Sequence, residues 1–358
     1  MTQLKAFQVT CKTALLAVLF CTSAAAQATT STSTQTAGGQ PSNNPGLVSG
    51  LLSATGLGTS NTIGATVGSI AGGGGAGSGL TLAGMPPGTA RFALPGQGDT
   101  GAAAAPGGKS ANAWIALSHN NVGYSFAPLQ SSGGVNVGII GADYTFSNKV
   151  VLGVAVAFDR TDINLTFNGG KLKGSGSTIS PYIGIPLNKQ WTADGSFGVG
   201  RTKINTDMLG VTGATNDDRT VGNLGLTYRR MADKWMLSGR GAYLAVRDKL
   251  GSYTLSDGNL IQESTTNVSQ IRLGAQAAYN AGSVVPHFGL QYIYDVTRPK
   301  QDPLSGQTAA NDRDAFQGVI GLQFMSKGAL YGGVQFSSEF SRKEVKNDQF
   351  LLNIGARF

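Results

Sequence analysis

The feature that most constrains this chain is the alternation of apolar residues with small or polar ones along its C-terminal two thirds. Apolar side chains recur at every second position in separate segments, which are Val150–Phe158, Ile271–Tyr279, Phe316–Phe324 and Phe350–Phe358. Successive residues of a β-strand face opposite sides of the sheet, so each segment predicts a strand with one apolar face. A soluble sandwich alternates in the same way, so the connections between strands must decide between the two classes.

Short and long polar connections follow one another in turn through this region. Short turns are predicted near residues 147–149, 188–190, 232–234, 281–283 and 326–328. Longer polar loops are predicted near residues 119–133, 160–177, 203–219, 247–267, 297–314 and 341–348. Five short turns that interleave with six longer loops give twelve strands, with both ends of the region on the short-turn side. Outer-membrane barrels have this asymmetry, with short periplasmic turns and longer outer loops.

Aromatic residues mark the short-turn end of several predicted strands. Trp191 and Trp235 directly follow short turns, and Tyr228, Tyr279 and Phe324 closely precede them. Tryptophan and tyrosine concentrate at membrane–water interfaces, because their rings have an apolar body and a polar edge. The spacing therefore predicts an aromatic girdle on the periplasmic side.

The opposite face of the predicted strands carries polar side chains, namely Ser238, Arg240, Gln276, His287, Gln291, Asp295, Gln335 and Glu339. Such groups are costly against hydrocarbon but suit the lumen of a barrel. A sheet in hydrocarbon must close on itself, because an open edge would leave backbone groups without hydrogen-bond partners. The sequence thus predicts an all-β fold, a twelve-stranded antiparallel transmembrane β-barrel over residues 112–358, with these side chains facing the lumen.

The N-terminus has the parts of a secretory signal. Lys5 and Lys12 form a basic region, Ala14–Cys21 forms a short apolar core, and three alanines precede Gln27. We predict a signal peptide over residues 1–26, cleaved between Ala26 and Gln27, that directs the chain to the Sec translocon. Both cysteines of the chain lie within this signal, so the exported part carries no thiol to oxidise.

Residues 27–111 have a different composition from the rest. The segment is rich in Gly, Ser, Thr and Ala, and its charged residues are Arg91, Asp99 and Lys109. It cannot bury enough apolar surface to offset the entropy of ordering the chain. We expect a flexible arm, either a linker or a short passenger.

The composition of the whole chain excludes other classes. The signal contains its one long apolar run, which excludes a polytopic helical membrane protein. The formal net charge is +8, but Lys and Arg do not cluster with aromatic residues, so no nucleic-acid partner is expected. Contact with outer-membrane lipid and lipopolysaccharide near the barrel rims is a simpler explanation of the basic balance. Metal-binding motifs are absent from the sequence, and we expect neither a metal nor a cofactor.

The first predicted strands contain a glycine-rich motif that also includes an Asp-Tyr pair. Gly133-Gly134 is followed by Gly138, then by Gly141-Ala142-Asp143-Tyr144, and then by Gly153-Val154. Over residues 112–358 the chain resembles the autotransporter, or type V secretion, translocator domain. This resemblance implies a barrel in the outer membrane of a Gram-negative bacterium, through whose lumen the upstream segment passes to the cell surface.

The final strand supports the same resemblance. Its alternating residues are Phe350, Leu352, Ile354, Ala356 and the terminal Phe358. A terminal aromatic of this kind is similar to the signal that the outer-membrane assembly machinery reads. The resemblance therefore implies that machinery as a partner.

Two other functions stay open at this point. One is a passive outer-membrane channel, and the other is a surface adhesin or receptor that acts through outer loops such as Tyr253–Glu263. Two pairs of adjacent residues could belong to a catalytic site, namely Ser118 with His119 and Asp217 with Asp218. Neither pair has a third catalytic residue near it in the sequence. We expect no enzymatic activity and assign no catalytic residue.

Overall fold

The computed structural model describes residues 110–125, 130–146, 149–165, 169–297, 313–325 and 330–358. The predicted signal peptide, its cleavage site and nearly all of the predicted arm lie outside these residues. The strands are β1 (Ser110–Tyr124), β2 (Ser131–Thr145), β3 (Val151–Leu165), β4 (Gly170–Pro186), β5 (Trp191–Met208), β6 (Val211–Ala232), β7 (Trp235–Leu250), β8 (Tyr253–Thr254), β9 (Leu260–Ile261), β10 (Ser264–Tyr279), β11 (Val284–Thr297), β12 (Asp314–Met325), β13 (Leu330–Phe340) and β14 (Val345–Arg357).

Twelve of these strands form one closed antiparallel barrel, in which each strand pairs with its neighbours along the chain and β1 pairs with β14. The closing pair is continuous from Asn112 opposite Arg357 to Tyr124 opposite Val345. The short strands β8 and β9 form a separate hairpin in the connection between β7 and β10. The predicted twelve-stranded antiparallel barrel is confirmed. Within the described residues, no helix is long and apolar enough to cross a membrane.

The apolar face of the sheet points outward. Phe288 and Ile320 are 57% and 62% exposed, whereas His287 and Gln335 on the opposite face are 3% and 2% exposed. A water-soluble barrel would have the reverse arrangement, because apolar surface stabilises a soluble fold only when it is buried. The outward band is therefore the surface that contacts lipid.

The long outer loops predicted over residues 160–177 and 203–219 were wrong. β3 continues to Leu165 and β4 begins at Gly170, while only Leu209 and Gly210 connect β5 to β6. These strands extend beyond the apolar band, where the outward side chains are polar and the inward Ile163, Leu165, Leu172, Ile204 and Met208 form a buried apolar cluster. The apolar residues there are few and face inward, opposite to those of the membrane-spanning part, so the sequence pattern resembles a loop although the backbone stays extended.

The β5–β6 connection is a two-residue hairpin turn. Leu209 has φ +57° and Gly210 has φ +85°. Positive φ at both central residues is characteristic of the type I′ turn, whose twist matches that of paired strands. Leucine is an uncommon choice at such a φ, and for that reason the sequence carries no turn signal at this position.

Candidate functional site: the lumen and its wall

The polar side chains predicted to face the lumen all lie on the inner face of the wall. Ser238, Arg240, Gln276, His287, Gln291, Asp295 and Gln335 are buried there, and Glu339 is half-buried. Gln276, Gln291 and Gln335 belong to a wider set of amides on β10–β14 that includes Gln317, Gln323, Gln349 and Asn353. We call this part of the wall the amide wall. Within the described strands, its inward face has no charged side chain between Arg272, Asp295 and Glu339 at the outer end and the periplasmic rim.

The amide wall has spare hydrogen-bonding capacity. Both amide atoms of Gln276 and Gln323 are buried, and within the described residues none of these four atoms has a hydrogen-bond partner. A primary amide donates and accepts equally well, so it can bind a peptide backbone or water without regard to side-chain identity. Unsatisfied buried groups of this kind cost about 1–3 kcal/mol each, which favours contact with any polar group in the lumen.

The neighbouring wall on β1–β3, which adjoins β14, has an apolar inner face, and the sequence analysis did not predict it. Buried residues of β1–β3 pack there with Leu351, including Trp114, Val135, Val137, Ile139, Val151, Ala155 and Ala157. In β2 the inward Ile139 is followed by the outward Ile140, so neither parity is polar. A pattern with two apolar faces could have indicated this wall, since alternation is lost when both sides are apolar.

A buried ion pair crosses the periplasmic half of the wall. Arg240 donates through both terminal nitrogens to Asp194, and the Nη2–Oδ2 distance is 2.7 Å. Arg240 Nη1 also donates to Thr227 Oγ1 at 3.0 Å. Gly225 lies beneath the guanidinium, and any Cβ at that position would overlap it. The two-point geometry fixes Arg240 against the wall, because a planar guanidinium matches a carboxylate in one orientation.

Charged groups also gather at the outer end of the lumen. Arg219 donates to Asp248 at 2.9 Å and to Asp159 at 3.3 Å, and its Nη2 lies 3.8 Å from Asp217 Oδ2. On the outward side at this level, Arg201 and Asp218 form a largely exposed ion pair of 2.7 Å, so this part of β5 and β6 stands beyond the hydrocarbon. Burial and the neighbouring Asp248 charge raise the pKa of the Asp217 carboxyl to about 7.

A second outer cluster lies on β10, β11 and the end of β13. Asp295 accepts hydrogen bonds from Gln270 at 2.7 Å and from Arg342 at 2.9 Å, and Arg342 also pairs with Glu339 at 2.8 Å. Arg272 donates to Gln270 through Nε and Nη2 at 3.0 and 2.7 Å. Two of the predicted lumen residues, Asp295 and Glu339, thus belong to one network.

Aromatic rings lie over glycines at the periplasmic end of the lumen. Trp114 stands directly opposite Gly141, and Tyr182 stands directly opposite Gly153. A Cβ on either glycine would overlap the ring that faces it. Tyr331 covers Gly355 in the same way. The glycines at Gly141 and Gly153, which carried the resemblance in sequence, therefore make room for rings on adjacent strands.

Polar groups of the same rings form one hydrogen-bond network. Trp114 Nε1 donates to Tyr182 Oη at 3.0 Å, and Tyr182 Oη donates to Asp143 Oδ2 at 2.9 Å. Asn112 donates to the same Asp143 oxygen at 3.0 Å and accepts from Tyr331 Oη at 2.6 Å. Asp143 is the acidic residue of the Gly141–Tyr144 motif, and its role here is to join β1, β2 and β4.

The predicted girdle residues lie on the outward face next to the periplasmic turns. Trp191 and Tyr228 have ring centroids 5.0 Å apart, and those of Trp235 and Tyr279 are 5.1 Å apart. Phe324 is exposed on β12 near its periplasmic end. The final-strand residues Phe350, Ile354 and Phe358 are also exposed on the outward side, whereas Leu352 and Ala356 are partly covered.

Comparison with known proteins identifies the family of this barrel. Residues 115–337, more than half of the chain, match the family described as autotransporter beta-domain. The chain belongs to the autotransporter β-domain family. The predicted resemblance is confirmed, and membership implies a barrel in the outer membrane of a Gram-negative bacterium. The match supports a translocator β-domain and does not support the alternative of a passive channel.

Solved structures agree on the fold of this autotransporter β-domain. The translocator domain of NalP from Neisseria meningitidis superposes with a TM-score of 0.61 at 12% identity, covering 70% of this chain and 89% of that one. The β-domain of Bordetella BrkA gives a TM-score of 0.59 at 15% identity, covering 70% of this chain and 100% of that one. The transport unit of AIDA-I from Escherichia coli gives a TM-score of 0.51 at 11% identity, with coverages of 69% and 90%. No curated protein sequence matches the chain.

The structure separates the catalytic pairs considered from sequence. Ser118 faces the lumen and His119 faces outward, because they are successive residues of β1. Asp217 and Asp218 are divided between the two faces of β6 in the same way. Among the described residues no group of three or more His, Cys, Asp or Glu side chains could hold a metal ion.

Proposed function

We propose that this β-domain passes its own N-terminal segment, residues 27–109, through the lumen and displays it at the cell surface. β1 begins and β14 ends at the periplasmic rim, where the Phe358 N–H donates to the Ala111 carbonyl oxygen at 2.9 Å. A segment attached ahead of β1 is therefore at the periplasmic mouth of the lumen. From there the direct route to the outside is along the wall described above.

The observation that carries this proposal is the amide wall on β10–β14. A translocated segment presents changing side chains but an unchanging backbone, and neutral amides such as Gln276 and Gln335 bind backbone groups of any sequence. The arm itself is rich in small residues, and its few charged residues are far apart, which suits a lumen narrower than that of the larger porins. We propose no enzymatic role, and we include the Sec translocon and the outer-membrane assembly machinery as partners in export and insertion.

Protease accessibility on intact cells tests the proposal. An epitope tag near Ser33 reports on the arm, a tag at Gly258 in the β8–β9 hairpin reports on an outer loop, and a tag at Asp233 reports on a periplasmic turn. We expect protease to remove the Ser33 and Gly258 tags and to leave the Asp233 tag intact.

The three tags make the result unambiguous. Cleavage at Gly258 with protection at Ser33 would show that the arm remains inside, and would contradict display. Cleavage at Asp233 would reveal broken cells and require repetition with intact ones. Replacing Gln276 and Gln335 with Leu should lower surface delivery of the Ser33 tag without lowering barrel abundance.

A further inference from the structure

The outward surface near the barrel seam contains a groove with an apolar floor. The groove has a volume of about 510 Å³ and lies on β14, β1, β2 and β3. Gly138 stands between Leu117 on β1 and Phe158 on β3 in the register of the sheet, so the missing side chain opens the surface there. Phe350 and Leu352 of β14 complete the floor. The floor has the apolar character that an acyl chain requires.

Polar residues form the outer rim of this groove. His119, Asn136 and Arg160 occupy one row across β1, β2 and β3, two residues beyond Leu117, Gly138 and Phe158. His119 Nδ1 lies 2.9 Å from Asn136 Oδ1. Arg160 is exposed, and it makes no hydrogen bond or ion pair with any described residue. Phe158 is the last exposed apolar residue on the outward face of β3, so Arg160, two residues beyond it, lies at the upper edge of the hydrocarbon, where lipid headgroups lie.

A second cation stands in line with Arg160. Ser175 of β4 pairs with Arg160 on one side and with Lys203 of β5 on the other. Two strand spacings separate the Arg160 and Lys203 backbones by about 10 Å. Above the apolar band, β3, β4 and β5 expose more basic than acidic residues: Arg160, Lys171, Lys173, Arg201 and Lys203 against Asp162 and Asp207. Arg201 is matched by Asp218, but Lys203 has no acidic residue opposite it.

We propose that this groove and rim form a binding site for lipid A, the membrane anchor of lipopolysaccharide. One phosphate binds Arg160, the second phosphate binds Lys203, and an acyl chain lies over Gly138. Lipid A carries two phosphates on a rigid disaccharide together with several acyl chains, whereas a phospholipid carries one phosphate and two chains. The pairing of separated cations with a chain-sized gap on one surface therefore favours lipid A. The location of the barrel in the outer membrane places this rim at the leaflet that contains lipopolysaccharide.

Binding of defined lipids to the purified full-length chain in detergent tests the site. Native mass spectrometry gives apparent Kd values for bisphosphorylated lipid A, dephosphorylated lipid A and phosphatidylglycerol. Arg160→Gln and Lys203→Gln should each weaken lipid A binding on the order of tenfold, because each removes a charge-assisted contact. Gly138→Leu keeps every charge, fills the groove and should weaken lipid A binding by a similar factor. Lys234→Gln, in a periplasmic turn, is the matched control and should leave binding unchanged.

Each result supports or overturns the site. Equal binding of the two lipid A forms, or equal binding of wild type and the two glutamine variants, would overturn it. Phosphatidylglycerol binding as tightly as lipid A would show a general anionic surface and also overturn it. Heat-modifiable migration on a gel shows that each variant is folded, and if Gly138→Leu is not, the two exposed cation variants decide. These measurements do not involve the arm, so they succeed or fail independently of surface display.

Discussion

Replacing Gly153 with alanine measures how closely the ring of Tyr182 packs against β3. A Cβ at residue 153 would overlap that ring, so the ring must move. Overpacking of this kind costs about 1–3 kcal/mol. Movement also breaks the hydrogen bonds of the Tyr182 hydroxyl with Trp114 and Asp143, each contributing about 1–1.5 kcal/mol. We expect Gly153→Ala to lower the free energy of unfolding by about 3–6 kcal/mol.

Urea unfolding of the refolded barrel in detergent micelles, followed by tryptophan fluorescence, measures this loss. Gly222→Ala is the matched control, because a Cβ at that strand glycine meets nothing within 4 Å, and its effect should stay within about 1 kcal/mol. In a Tyr182→Ala background the ring is gone, so Gly153→Ala should then cost little. An equal loss in both backgrounds, or equal behaviour of the two glycine variants, would refute the packing of Tyr182 over Gly153.

Three further results are expected. Asp217→Asn should raise the free energy of unfolding by on the order of 2–4 kcal/mol at pH 8 and by little at pH 4. The reason is that the pKa of Asp217 is higher in the folded than in the unfolded chain, so the wild type loses stability as the pH rises through about 7. Urea titrations at the two pH values check it, and an equal gain at both would contradict it. Asp194→Ala should cost about 3–5 kcal/mol, because it leaves Arg240 buried with its charge partner removed; Asp194→Ala with Arg240→Leu should recover part of that loss in the same assay. Deleting Phe358 should lower the amount of barrel in outer-membrane fractions several-fold, whereas substituting the exposed Leu209 should not.

The barrel class was predictable because surrounding lipid requires an apolar outward face on every membrane-spanning strand. Phe288 and Leu290 face outward while His287 and Gln291 face inward, and that order follows from one apolar environment on one side of the sheet. The number of strands was also predictable, since the short turns are polar breaks between apolar segments. Neither the barrel class nor the strand number required knowledge of which strands pair with each other.

The distance that each strand extends beyond the membrane was not predictable from the alternation of apolar and polar residues. Residues 203–207 of β5 continue the strand above the membrane, where Lys203 and Asn205 face water and Ile204 faces inward. A single inward apolar residue between polar ones resembles a loop as much as a strand. The turn at Leu209 and Gly210 gave no further help, because leucine is not a residue that such turns favour.

Side-chain pairs across strands required the register. Gly153 is separated from Tyr182, and Gly225 from Arg240, by a turn whose length sets which residues stand opposite. A shift by one residue would place every partner on the other face of the sheet. The sequence could thus mark Gly141, Asp143 and Gly153 as a pattern, but it could not say that they accommodate rings and join strands.

The seam between β1 and β14 has the least local support in the barrel. Every other pair of neighbouring strands is joined by a chain connection, whereas this pair unites the two ends of the domain and carries the largest loop-closure entropy. A side-chain link bridges this pair on the inside, where the Tyr331 hydroxyl donates to Asn112 Oδ1 across β14 at 2.6 Å. Outside, the floor of the groove draws Leu117 from β1 and Phe350 from β14. Contacts that bridge this pair join the two ends of the domain, so each of them offsets part of the entropy of closing the longest loop in the barrel.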